Sequence, residues 1–293
     1  MKLGIWLPVV HRTPPYVPPA WELAGRIDEV AAIAAAAESL GYEYLFAPEH
    51  IALPVSKAHV RGEVYWDPIS TLGYVAAHTK KINLVPLVLV ASYHHPLEIA
   101  KRMGTLDRIS GGRAAIGIGV GSLAEEFELL GANMKERGRR TDDMLRALHA
   151  ARGVRVPKYE GEFYRFSDMV VDPGLRKDIP IWVGGLSDKS VGRAIEYADV
   201  WSPTRMPIEK VKHILSAPET QAKLAARNRH LDVCYVMSED FKLDAVNEPQ
   251  QVRAYLGRLK DAGVTVFAPE LVNTTVDIYI DQLRATAEIA RSY

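Results

Sequence analysis

The chain has 293 residues, 36 Lys and Arg against 36 Asp and Glu, and one cysteine. Balanced charge leaves no electrostatic footprint for nucleic acid. A single thiol excludes a disulfide framework, and no apolar run approaches the length of a membrane span.

At this size a chain buries a large core unaided, and α/β barrels commonly reach it. Residues 3–10 read as a first strand with no signal-type cleavage site, so a cytoplasmic protein is expected. A proline-rich loop and an alanine-rich helix follow, with Gly41 as the helix stop. The second strand spans 42–50 and leads into a long loop, after which Asp67 and Pro68 open a helix. A third strand covers 82–90, with a helix from Pro96.

The fourth strand carries Gly117, Gly119 and Gly121 at every second position, with Ile116, Ile118 and Val120 between them. Alternation puts the three glycines on one face, and glycine inside a strand marks a close approach by a ligand or another backbone. A planar ring on that face is expected. Ser122 would cap the next helix, whose first N–H groups would face an anion.

A charged helical region covers roughly 123–152, and 153–178 reads as a surface excursion with a small hairpin. Strands five (179–185), six (199–203), seven (230–240) and eight (264–271) each precede a helix. Strands three, four, five and eight are almost continuously apolar, as strands buried on both faces are. Eight such units imply an α/β fold, a closed (β/α)₈ TIM barrel. The chain 1–293 is then a single domain, with the excursion after strand four an insertion.

Barrels place chemistry at the C-terminal strand ends. Glu49 and His50 stand there on strand two; such an imidazole either holds its loop or bonds substrate or cofactor. His95 reads as a helix-start residue bonded to nearby backbone. Gly184, Gly185 and Ser187 repeat the strand, glycine turn and helix start, which either serves an ordinary turn or offers N–H donors to phosphate. Glu270 ends strand eight as a general acid or a buried ion-pair partner. Cys234, in an apolar run, is a core thiol. The glycines lack Rossmann spacing, and no metal cluster, G-x-S-x-G elbow or Cys–His pair assembles.

The segments HPLEIAKRMGTLDRISGGRAAIGIGVG, EEFELLGANMKERGRR, YEGEFYRFSDM and PIWVGGLSDKSVGRAIEYADVW, in this order, resemble the bacterial luciferase-like family of flavin- and F420-dependent oxidoreductases. The resemblance covers Leu3 to about Pro203. It implies a barrel holding a flavin or deazaflavin at the strand ends, usually as a homodimer. Arg137-Gly138, GEFYRF and PIWVGG look most like the F420-dependent branch, whereas Glu49-His50 is the pair often seen in luciferase-type flavin enzymes. Coenzyme F420 is therefore expected, with FMN as the alternative.

By the same resemblance, Gly119, Val120, Gly121, Ser122, Gly184, Gly185 and Ser187 would hold phosphate and ribityl groups. Pro86 and Leu87 would back the ring and carry a non-prolyl cis peptide. His50, beside Glu49, would polarise the substrate or move a proton, under a roof of Tyr16, Trp21, Tyr65 and Trp66. The implied reaction is hydride transfer to or from a small organic substrate. An FMN monooxygenase using reduced flavin and oxygen is the first alternative, and a non-catalytic flavin-binding barrel the second.

Overall fold

A computed structural model describes residues 1–12, 17–237 and 241–293. Tyr16 and the last three residues of the expected seventh strand, 238–240, lie outside them. The barrel strands are β1 (Lys2–Trp6), β2 (Tyr44–Ala47), β3 (Asn83–Pro86), β4 (Ile116–Gly119), β5 (Ile181–Gly185), β6 (Val200–Pro203), β7 (Asp232–Val236) and β8 (Val266–Ala268). All neighbours pair in parallel, in the order β3-β2-β1-β8-β7-β6-β5-β4.

The ring closes through the expected third strand, which is broken. Leu84 bridges Ala114, and the separate strand Leu89–Val90 pairs with Ile118 and Gly119. Between the two pieces the chain bulges at Leu87-Val88, a cis peptide. The bond is thus one position beyond the Pro86-Leu87 expected.

Local sequence sets the helix ends. In α1 (Ile27–Leu40) the stop is Gly41 at φ 92°, in the left-handed region glycine tolerates. Pro68 stands in the first turn of α2 (Pro68–His78), whose cap is Asp67, accepting 2.7 Å from the Ser70 N–H. His95 caps α3 (Pro96–Ser110), its Nδ1 accepting from the Leu97 N–H at 3.2 Å, as expected of a helix-start histidine. The charged helical region after β4 comprises two helices, α4 (Ala124–Leu129) and α5 (Arg137–Ala151). The excursion forms the expected hairpin, Tyr159–Glu160 against Arg165–Phe166. The buried Asp143 of α5 pins it by accepting from Tyr159 Oη and the N–H groups of Phe163 and Tyr164.

Apolar residues divide into two layers. Outward side chains such as Ile116, Ile118 and Val183 join the helices, and Phe46, Val85, Leu87, Ala115 and Trp182 fill the barrel interior. Arg113, before β4, ties the opposite barrel end together. Its guanidinium donates to the carbonyls of Ala76, Thr79, Ile82 and Ser110 and to Thr79 Oγ1. The SGGR motif therefore stabilises the end away from the expected chemistry. Among the described residues, no helix is long and apolar enough to cross a membrane.

Candidate active site

At the C-terminal end of β2 the chain places two acid–base pairs back to back. Glu49, 5% exposed, accepts from the Val90 N–H at 2.7 Å and meets His94 Nε2 at 2.9 Å. It therefore braces the strand after the bulge and does not pair with its neighbour His50. His50 Nδ1 instead lies 2.7 Å from Oε2 of Glu126 on α4. Glu126 is 1% exposed, and its other oxygen accepts from the N–H groups of Ile51 (2.7 Å) and Ala52 (3.2 Å). Tyr93 Oη donates to Oε2 at 3.2 Å.

Burial alone would raise the Glu126 pKa, but His50 and the two N–H donors outweigh it and hold the carboxyl below its ordinary value. Burial and the Glu126 charge keep Tyr93 protonated. An ionised Glu126 fixes the His50 proton on Nδ1. Nε2 then faces no protein partner among the described residues. His50 lines a pocket of about 270 Å³ with Ile51, Leu53, Val55, Glu63 and Tyr65. The Tyr65 ring stands edge-on to the imidazole, centroids 4.5 Å apart.

The two long loops cross here, His11 and Arg12 pairing antiparallel with Tyr65 and Val64. Of the expected roof, Tyr65 lines the pocket, while Trp21 Nε1 is tied to the Asn273 carbonyl at 2.7 Å and Trp66 packs on the outer core. Tyr16 is outside the described residues.

The glycine strand differs from expectation. A Cβ at Gly117 would lie 2.1 Å from the Pro86 carbonyl oxygen, and one at Gly119 would lie 2.3 Å from Val88 Cγ2. A Cβ at Gly184 would lie 2.8 Å from Val88 Cγ1. The bare face thus admits the bulge after β3, and protein rather than a ring lies against it. Pro86 and Leu87 are buried, and half-buried Val88 is the residue of the bulge that reaches solvent. Gly121, at φ 77°, has left the strand; its Cβ would strike Phe127 and Val90. Gly185 backs onto Ser190, and a Cβ there would lie 2.5 Å from the Ser190 Cβ.

Neither serine caps a helix through its side chain. The cap of α4 falls on Leu123, not Ser122. Ser187 sits at the cap position of α6 (Asp188–Tyr197) without a side-chain bond. Both are exposed, as is Leu186, while Val120 is half-buried.

On the other side of the mouth, Glu270 follows β8, and desolvation pushes its pKa up to about 7 despite the attraction of Lys242. Sequence reading missed Glu126 and Val88. The one signal for Glu126 was an acid directly before Phe127 in a short helix after the glycine strand.

The chain is similar to known proteins in sequence and in fold. Residues 1–265 fit the family described as luciferase-like monooxygenase. The chain belongs to that family. Among relatives, the FMNH(2)-dependent dimethylsulfone monooxygenase of Pseudomonas putida is 24% identical over 254 residues, 81% of this chain and 68% of that protein. The structure of monooxygenase RslO1 from Streptomyces bottropensis superposes with a TM-score of 0.81 at 21% identity, covering 100% of this chain and 99% of that one. An F420-dependent secondary alcohol dehydrogenase in complex with an F420-acetone adduct gives 0.75 at 12% identity, covering 98% and 97%. At these identities the structural likenesses establish the luciferase-like barrel and leave the cofactor open between F420 and FMN.

Proposed function

We propose that the protein is an F420-dependent oxidoreductase that transfers a hydride between the deazaflavin and a small organic substrate. The observation that carries this reading is the juxtaposition at the strand ends of an apolar shelf and a fixed proton carrier. Val88, wedged over Gly119 and Gly184, gives the shelf, and His50, oriented by Glu126, gives the carrier. Glu49 links them, since it precedes His50 and holds the Val90 N–H.

These residues fit a tricyclic ring with a phosphate-bearing tail. Val88 would lie under the ring in place of Pro86 and Leu87. Exposed Ser122 and Ser187, with the turns at Gly121 and Gly185, would bind the tail by hydroxyl and N–H donors. When bound, the cofactor supplies the hydride chemistry. The chain itself orients the substrate, excludes water beneath the crossed loops, and keeps the His50 proton on Nδ1 so that Nε2 accepts or returns a proton.

Titration of the purified protein with F420 and with FMN, followed by cofactor fluorescence, tests the reading. Micromolar or tighter F420 binding with weak FMN binding supports it, and the reverse preference overturns it. A second reading, an FMN-dependent monooxygenase, is favoured by the likeness to RslO1 and to the dimethylsulfone monooxygenase. Oxygen uptake stoichiometric with product would establish that one. We also propose a homodimer, for which light scattering should give twice the 32.5 kDa of one chain.

A further inference from the structure

The pocket beside His50 holds an acid that no cation of the described residues neutralises. Glu63 follows the helical turn Ala58–Arg61, which stops at Gly62 with φ 88°. The next two residues, Val64 and Tyr65, pair with Arg12 and His11, and side chains two apart on an extended segment share a face. Glu63 and Tyr65 accordingly both line the pocket, and Val64 does not. The Glu63 carboxylate is exposed and has no hydrogen bond or ion pair among the described residues. The cations of its own segment serve another acid. Lys57 Nζ lies 2.6 Å from Glu125 Oε1, and the Arg61 charge adds to the hold on that same carboxylate. Arg102 is shared between Asp67 and Glu98.

Most of the remaining lining is apolar and open to solvent. Ile51 is 50% exposed and Val55 92%, with Leu53 and Ala58 half-buried beside them. The Ile51 N–H is bonded to Glu126, so this wall is held in place at the mouth rather than folded inward. Apolar surface left open around a concave site gains free energy when an apolar body covers it. A carboxylate without a partner beside that wall adds a charge preference. It attracts an ammonium group and repels a carboxylate, and the low-dielectric wall strengthens both effects relative to open water. His50, the group that meets Glu126 through Nδ1, brings no second anion.

We propose that the pocket selects a small organic cation, an apolar chain ending in a protonated amine. Glu63 takes the ammonium group, and Ile51, Leu53 and Val55 take the chain. This names a substrate class for the oxidoreductase reading and rests on that reading only in taking the ligand to be the substrate. The charge preference itself needs no cofactor.

The test uses cofactor-free protein and three ligands of equal length, n-hexylammonium, 1-hexanol and hexanoate, with binding followed by saturation-transfer NMR at neutral pH and low salt. The ammonium should bind best and hexanoate worst. Exposed ion pairs are modest, so Glu63→Gln should weaken n-hexylammonium about fivefold and leave 1-hexanol unchanged. Added salt should erase most of the wild-type advantage of the ammonium over the alcohol. Glu63→Lys should reverse the order and place hexanoate first. Glu63 is exposed, so both variants should keep the wild-type circular dichroism. Equal binding of the three ligands, absence of n-hexylammonium binding, or a Glu63→Gln variant that keeps the wild-type preference would each overturn the proposal. Failure to bind F420 or FMN bears on the oxidoreductase reading alone, because every one of these outcomes is read without a cofactor.

Discussion

His50 and Glu126 are 76 residues apart in sequence, and their side chains meet at 2.7 Å in a contact where the carboxylate is 1% exposed. The pair joins the end of β2 to the helix after the glycine strand. The same carboxylate holds the N–H groups of Ile51 and Ala52, so it fixes both the ring and the chain that carries it. Glu126 is a positioning residue and His50 the group it aims.

Glu126→Gln should keep the shape and lose the charge that sets the imidazole proton on Nδ1. Turnover with the loaded enzyme is expected to fall on the order of 100-fold, the lower range for a misplaced general acid or base. KM should move little. Glu126→Ala additionally removes the acceptor of the partly buried Ile51 and Ala52 N–H groups, at about 0.5–1.5 kcal/mol each. Urea denaturation of the two variants separates the contributions: equal stability losses would mean that the N–H contacts carry no weight.

The βα alternation was legible because buried parallel strands are apolar throughout and glycine or proline punctuates each unit. The strand ends bearing Glu49, His50, Gly184 and Glu270 followed from that count alone. Periodicity could not show that Glu49 turns toward His94 while His50 turns toward Glu126, since both pairings join distant strand ends. Nor could it show the bulge at Val88, because alternation counted along 82–90 assumes an unbroken strand. The glycines of β4 were read rightly as a site of close approach. What approaches is the protein's own backbone and Val88.

That packing predicts a coupled pair. Gly119→Ala places a methyl 2.3 Å from Val88 Cγ2, closer than carbon atoms come, so the single variant should lose about 1–3 kcal/mol by overpacking. In Val88→Ala the two γ-carbons are gone, and the nearest remaining contact would be Val88 Cβ at 3.2 Å. The double variant should therefore be more stable than the sum of the singles, by about 0.5–3 kcal/mol in a double-mutant cycle. Additive losses would show that the strain falls elsewhere. Gly117→Ala should not be rescued, because its methyl meets the Pro86 carbonyl and not a side chain.

Cys234 points into the barrel interior at 0% exposure, and burial pushes its thiol pKa far above the usual value. Without thiolate there is no nucleophile. A disulfide reagent such as DTNB should leave the folded protein unmodified over the time in which it titrates one thiol per chain in guanidinium. Rapid stoichiometric labelling of the native protein would contradict the closed interior.

His94 carries the clearest pH signature of stability. Its side chain is 7% exposed, and burial by itself would lower its pKa. The hydrogen bond and charge of Glu49, with Glu98 behind, more than reverse this, so the folded value is raised above that of the unfolded chain. A raised histidine binds its proton more tightly when folded. Its stabilisation is fully present below the unfolded pKa of about 6.5 and is lost as pH rises through the folded value. Wild-type stability measured by urea denaturation should thus decline from about pH 6.5 upward, relative to His94→Gln, which cannot take the charge. Glu49→Gln should flatten the same slope, and it should do so without altering the His50–Glu126 contact. A difference between wild type and His94→Gln that is constant from pH 6 to pH 9 would mean that His94 stays neutral and acts through packing alone.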